Sequence, residues 1–361
     1  MKIALLSYST KPRGGVVHTL ALAEALAALG EDVTVWTLGR GGDAGFFRPV
    51  HPAVRIQVVP FPDGPPEESV GARILRSITT LRAAFDPTPY DVVHAQDCIS
   101  ANAAGPCVRT VHHLDHFTTP ELAACHERAI VEPYAHICVS AAVAGELAAG
   151  WGIEAQVIPN GVAYDRFVST DPAAQASWRS RLGPYVLTVG GIEPRKGSLD
   201  LLEAYALLRA TRPDVRLVIA GGETLFDYRD YRARWEARAA ELAVEPVVLG
   251  QVDEDSLPSL VAAADVFAFP SLKEGFGLAA MEALAAGVPL VVRDLPVLRE
   301  VFGEAAQFAA TPEDLAAELG HALATEDPDR RSAGRALAAR HTWDAAARGH
   351  LDFYRSLGTC A

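Results

Sequence analysis

Two glutamates separated by seven residues carry the most specific chemical signal in the chain. They lie in Phe269-Pro270-Ser271-Leu272-Lys273-Glu274-Gly275-Phe276-Gly277-Leu278-Ala279-Ala280-Met281-Glu282. An apolar, strand-like run ends at Pro270, a glycine-rich turn follows, and a helical pattern begins near Gly277. Glycine lets backbone approach a ligand closely, and the free amides that open a helix bind anions. A diphosphate fits over the amides of Gly275, Phe276, Gly277 and Leu278, with Glu274 before the turn and Glu282 in the helix after it. The bland reading is an ordinary strand-to-helix connection with two solvated glutamates. A hydrolytic pair is a third reading. On one continuous helix the carboxyls would stand ~12 Å apart, beyond the roughly 5 to 9.5 Å of a glycosidase pair. The loop leaves that distance open, but the anion-binding turn favours a phosphorylated ligand.

A second segment, Val189-Gly190-Gly191-Ile192-Glu193-Pro194-Arg195-Lys196-Gly197, puts two cations just before a helical pattern at 198–208. Near the start, Lys11-Pro12-Arg13-Gly14-Gly15-Val16-Val17-His18 joins the opening apolar run to an Ala/Leu-rich helical pattern. This is not Gly-x-Gly-x-x-Gly, and Thr37-Leu38-Gly39-Arg40 supplies no acid after the second run. A dinucleotide-dependent dehydrogenase is therefore disfavoured.

Eight of the eleven histidines precede Val168, and four fall at or between His94 and His116. His113-x-Asp115-His116 matches half of a His-x-His-x-Asp-His metal pattern, but Val111 stands where its first histidine belongs. No metal site is expected there. Asp253-Glu254-Asp255 imitates Asp-x-Asp, yet it lies just before a helical pattern at 256–264, where acidic residues complement the helix dipole.

These residues hang on alternating short apolar runs and helical patterns, the signature of stacked βαβ units with parallel sheets. Strands are expected at 3–8, 33–37, 55–59, 91–94, 108–111, 137–139 and 156–158, then at 185–189, 216–220, 246–249, 266–269, 289–292 and 307–309. The polar stretch 169–183 holds Asp171-Pro172 and ends in Gly183-Pro184, so it is expected to link two lobes, 1–168 and 184–340. Ligands of such lobes bind at the carboxyl ends of the strands, here in a crevice between them.

A length of 361 residues, half of them apolar, suits two lobes with substantial cores. The net charge of −13, with 12 Lys/Arg against 17 Asp/Glu up to Val168 and 20 against 28 beyond, argues against a nucleic-acid partner. Five cysteines without Cys-x-x-Cys spacing read as reduced thiols. With neither a signal-peptide pattern nor an apolar run of about 20 residues, a cytoplasmic location is expected. The helical pattern at 70–85 puts Val70, Ile74, Ile78, Leu81 and Phe85 on one face, with Arg73, Arg76 and Arg82 and no acid. It reads either as a helix packed on the sheet with a basic outer face or as a weak contact with a membrane surface or an anionic acceptor.

The Glu274…Glu282 pair resembles the Glu-x7-Glu motif of retaining glycosyltransferases of family four, the glycogen-synthase-like group. That resemblance extends over essentially the whole chain. It implies a GT-B fold of two facing Rossmann-like lobes, a nucleotide-sugar co-substrate, a glycosyl acceptor on the first lobe, and no cofactor or metal. By it, Glu274 would contact the transferred sugar and Glu282 the ribose. Lys196 matches the lysine that neutralises the leaving diphosphate, while Gly191 stands where the family has arginine and Arg195 would supply that charge. Gly14 and Gly15 resemble the family's first loop, facing donor phosphate or acceptor. Thr110-Val111-His112 resembles the strand end whose histidine faces the sugar, with His113 as the alternative. Val157-Ile158-Pro159-Asn160-Gly161-Val162 resembles the family's strand-end turn before the linker, and His341-Thr342-Trp343 resembles the tail whose helix 343–361 crosses back onto the first lobe. Two rivals share the architecture: a sugar-nucleotide epimerase, and a binder without catalysis, suggested by Gly191.

Overall fold

The computed structural model describes residues 1–65, 67–115, 117, 119–222 and 228–358. His116 of the rejected metal pattern, Cys360 and the last residues of the expected terminal helix lie outside them. The chain divides into two compact units, Met1–Gly161 with Trp343–Ala361, and Val162–Thr342.

The first unit runs β1 (Lys2–Leu6), α1 (Gly14–Ala28), β2 (Asp32–Arg40), β3 (Arg55–Phe61), α2 (Val70–Ala84) and β4 (Val92–Ala95). It continues α3 (Cys98–Ala104), β5 (Val108–Val111), α4 (Pro120–Val131), β6 (Ala135–Cys138), α5 (Ala141–Trp151) and β7 (Gln156–Val157). Its seven strands pair in parallel in the order β3-β2-β1-β4-β5-β6-β7. Side chains alternate along each strand, so β1 feeds two cores. Ile3 and Leu5 pack with Leu22 and Leu26 of α1, whereas Ala4 and Leu6 pack with Leu38 and Leu81 on the other face. Strands covered on both sides are largely apolar, and β4, β5 and β6 are buried at every position, including at His94, Arg109, Thr110 and His136.

The second unit begins with α6 (Tyr164–Val168) and α7 (Pro172–Leu182), then β8 (Tyr185–Val189), α8 (Ser198–Thr211), β9 (Arg216–Ala220) and α9 (Arg229–Glu241). It goes on through β10 (Val247–Gly250), α10 (Leu257–Ala262), β11 (Val266–Phe269), α11 (Leu278–Ala286) and β12 (Leu290–Arg293). It ends with α12 (Pro296–Phe302), β13 (Gln307–Ala309), α13 (Pro312–Ala324) and α14 (Pro328–Arg340), and α15 (Trp343–Gly358) then rejoins the first unit. Six parallel strands take the order β10-β9-β8-β11-β12-β13. All thirteen expected strands are present.

The expected linker needs correction. Stretch 169–183 is folded into the second unit as α7, whose Pro172 sits in the first turn and whose Asp171 caps it by accepting from Ala173 N at 2.9 Å. Trp178 of α7 donates to Ser259 Oγ of α10 at 3.1 Å. The units instead divide at Gly161 and Thr342. There Val162 pairs with Thr342 and donates from its backbone to His341 O at 2.8 Å, so the two crossings run side by side.

The amphipathic helix α2 is a packed element. Its Ile74, Ile78 and Leu81 are buried, so the apolar stripe packs into the core. Arg76 is paired with Glu68 at 2.6 Å and lies 4.0 Å from the Phe61 ring centroid, and Arg82 donates to Asn102 O. Among the described residues no helix is long and apolar enough to cross a membrane.

Candidate active site

Each sheet reverses its strand order once, between β1 and β4 in the first unit and between β8 and β11 in the second. Such switch points open a crevice at the carboxyl ends of the strands. The singled-out residues lie on the loops and helices that follow β1, β8 and β11 or, for His112, just after β5, the neighbour of β4.

In the second unit the loops after β8 and β11 are laced together. Leu272 N donates to Arg195 O at 2.8 Å, and Arg195 Nη1 donates to Lys273 O at 3.2 Å. Lys196 Nζ donates to Glu274 Oε1 at 2.6 Å, and Arg195 Nη1 reaches the same oxygen at 3.1 Å. Close approach of the loops requires glycine at 197, where φ is +63° and a Cβ would stand 2.2 Å from Pro270 O. Burial alone would raise the Glu274 carboxyl, but Lys196 and Arg195 outweigh it and hold it at about 2. Glu274 is therefore an ionised hydrogen-bond acceptor at any physiological pH and cannot serve as a proton donor.

The glycine-rich turn forms as expected. Gly277 precedes α11 at φ +96°, and a Cβ there would press within 3.3 Å of the Phe269 and Phe302 rings. No side chain caps α11, so its first amides stay available near Lys196 and Glu274. Gly275 and Phe276 are buried, and the Phe276 ring packs 5.6 Å from the His341 ring. Leu278 opens the helix.

Glu282 has a different environment. Burial and the nearby Glu254 carboxylate push it up to about 8, with Arg166 opposing. Arg166 of α6 holds Glu254 at 2.6 Å, which explains the acid expected only as a helix-start feature. Neither Arg166 nor its pair with Glu254 is legible in the sequence, because the two lie 88 residues apart.

In the first unit Gly14 and Gly15 are the first residues of α1, which has no side-chain cap. The His112 ring lies over Gly15, 3.9 Å from where a Cβ would stand. Its Nε2 is buried without a hydrogen-bond partner. Burial, then Arg109 and His113, hold the imidazole neutral, well below its ordinary pKa. His113 instead reaches Asp115 at 3.3 Å. His112 belongs to a histidine network missed in the sequence, whose other members, His18, His94 and His350, are fully buried. The His18 ring stands edge-on at 4.7 Å, and its Nδ1 donates to Asn160 Oδ1 at 2.9 Å. Trp343 and His350 of α15 pack against His18 at 5.4 and 6.2 Å, and His94 is bonded to Tyr354 and Thr110 at 2.6 and 2.7 Å. Among the described residues no three His, Cys, Asp or Glu side chains are grouped to hold a metal ion.

Comparison with known proteins agrees with this geometry. Residues 12–166 match the domain described as Glycosyltransferase Family 4, and residues 175–338 the domain described as Glycosyl transferases group 1. Phosphatidyl-myo-inositol mannosyltransferase of Mycobacterium tuberculosis is 31% identical over 93% of this chain and 86% of its own. D-inositol 3-phosphate glycosyltransferase of Xylanimonas cellulosilytica is 30% identical over 98% of this chain and 96% of its own. Among solved structures, sucrose-phosphate synthase of Thermosynechococcus elongatus superposes with a TM-score of 0.79 at 21% identity, covering 100% of both chains. Anabaena HepE, in complex with UDP and glucose, gives 0.73 at 21% identity over 99% of each. The two parallel-sheet units are thus of the GT-B type, and the chain belongs to glycosyltransferase family 4, whose members transfer a sugar to an acceptor.

Proposed function

We propose that the second unit holds a nucleotide sugar and the first its acceptor, and that transfer retains the anomeric configuration without a metal ion. The observation that carries this reading is the Lys196–Glu274–Arg195 cluster beside the uncapped start of α11. A departing diphosphate gains negative charge as the glycosidic bond breaks, and fixed donors aimed at it stabilise that state. Lys196 has three donors and spends one on Glu274, so the others remain for the diphosphate. Arg195 adds the charge absent at Gly191.

In this reading Glu274 accepts from sugar hydroxyls and Glu282 meets the ribose. His112, neutral and unpartnered at Nε2, meets the transferred sugar. An ionised Glu274 anchored by two cations suits hydroxyl recognition better than attack on carbon. Same-face displacement, with phosphate taking the acceptor proton, then accounts for retention. Mannose heads the sugars to try, because relatives aligned over most of the chain are mannosyltransferases.

The test is thermal denaturation with UDP, GDP and ADP, each with and without a chelator. A ligand at 100 times its Kd adds about 2.7 kcal/mol. Stabilisation by at least one, unaffected by the chelator, is expected; none, or a strict need for divalent ion, would overturn the donor site. The anomeric proton coupling of the product, read by NMR, decides retention.

A further inference from the structure

One buried arginine gathers the strand ends that carry the Lys196–Glu274–Arg195 cluster. Arg293 is the last residue of β12, where the apolar run Leu290-Val291-Val292 stops, and it is 7% exposed. Because β12 lies between β11 and β13, a long side chain at its end can reach past both neighbours. Arg293 Nε donates to Pro270 O at 3.2 Å, just beyond β11, and Nη1 donates to Ala310 O at 2.8 Å, just beyond β13. Nη2 donates to Asp200 Oδ2, in the first turn of α8. The guanidinium thus ties the exits of β11, β12 and β13 to the helix that follows Lys196 and Gly197.

Two of these contacts bracket the cluster. Pro270 opens the loop that carries Glu274, and its carbonyl is the atom against which the Gly197 backbone is pressed. A Cβ at 197 would also stand 3.4 Å from Arg293 Nη2, so the arginine packs on both sides of that close approach. The simpler account makes Asp200 a helix-start acid and its ion pair a contact for stability alone. A buried pair is a poor source of net stability, because both charges lose water, and its best-attested use is to fix register. Donation to carbonyls on two separate loops points the same way. An arginine fork aims several donors in fixed directions, whereas a lysine offers one compact charge.

We propose that Arg293 is a positioning residue for sugar transfer: it holds the loop of Arg195 and Lys196 against the loop of Glu274, so that the cations stand ready for a diphosphate. The last clause rests on the donor-site reading above; the holding of the loops does not.

The experiment compares the whole wild-type chain with Arg293→Lys, which keeps a charge for Asp200, and Arg293→Met, which does not. Amide hydrogen exchange reads the loops directly, because Leu272 N donates to Arg195 O at 2.8 Å and so bonds one loop to the other. Phe267 N, which donates to Pro289 O at 2.8 Å, reports the sheet of the same unit. In Arg293→Lys the Leu272 amide should exchange about tenfold faster or more, while Phe267 changes less. Calorimetry should show the nucleoside diphosphate that wild type binds best held about threefold more weakly or worse. Arg293→Met should show both effects more strongly; if it does not fold, Arg293→Lys decides alone. An unprotected Leu272 amide in wild type, wild-type exchange at Leu272 in Arg293→Lys, or an acceleration at Phe267 as large as that at Leu272 overturns the proposal. So does wild-type diphosphate affinity in a variant whose Leu272 bond has opened. Should no nucleoside diphosphate bind wild type, the donor reading falls instead, and exchange at Leu272 still decides whether Arg293 holds the loops.

Discussion

The two switch points share a strand order and differ in how their polar groups are satisfied. At the second, Lys196 and Arg195 are pinned to Glu274, and the loops that carry them are tied by backbone bonds. At the first, Gln96, Arg13, His18 and His112 each bury a polar atom that has no partner. A paired cation keeps its position before a ligand arrives, whereas an orphaned amide or imidazole gains its partner only from a ligand or water. In the proposed reading the second unit is preorganised for the part of the substrate common to all donors, and the first is completed by the part that distinguishes one acceptor from another.

The sharpest way to break this contrast is to remove the group on which the second cluster converges. Glu274→Gln should lower single-turnover transfer by about 100-fold or more, on the scale of losing one preorganised group at a reacting centre. Nucleoside diphosphate should bind that variant as tightly as wild type or tighter, because Lys196 and Arg195 lose their internal counterion. Equal losses of both would mean that Glu274 serves only to hold the loops. Lys196→Ala works in the opposite sense: calorimetry should show diphosphate affinity weakened by about tenfold or more, roughly the worth of one charged hydrogen bond. Arg195 sets the residual affinity.

At the first switch point the comparison is between adjacent histidines. His112 has a buried, unpartnered Nε2, whereas His113 is turned towards Asp115. His112→Ala should reduce transfer by about tenfold or more, consistent with loss of a ground-state and transition-state hydrogen bond. His113→Ala should stay within about threefold of wild type. The reverse order would move the sugar contact to His113.

Much of this was legible in advance for a physical reason. Parallel strands covered on both faces are mostly apolar, so β11 reads as an uninterrupted run and β4, β5 and β12 as short runs broken by His94, by Arg109 and Thr110, and by Arg293. Gly277 and Lys196 stand in local strand–turn–helix patterns, which a sequence displays directly. The linker misled because Asp171-Pro172 and Gly183 serve a helix start and stop as readily as a loop. The histidine network was hidden because residues 18, 94, 112 and 350 share no spacing, and they meet only when α15 returns to the first unit.

Glu282 is the exception within the second unit, and it yields the smallest effect. It sits on α11 beside the Arg166–Glu254 pair and has no cation of its own. Its carboxyl is raised to about 8 from an ordinary 4.5 by burial first and by Glu254 second. Between those values the unfolded chain has lost the proton and the folded one keeps it, so stability falls as pH rises through the window and levels off above 8. A glutamine imitates the protonated form at every pH. Glu282→Gln should therefore unfold at nearly the wild-type temperature at pH 4.5 and above it at pH 8, with a gap of about 1 kcal/mol or more. Nucleoside diphosphate binding at neutral pH should survive in this variant, since a neutral side chain already meets the ribose, but should weaken in Glu282→Ala. A gap that shrinks with rising pH would show that Glu282 is ionised in the folded protein, and the second unit's polar groups would then all be charged.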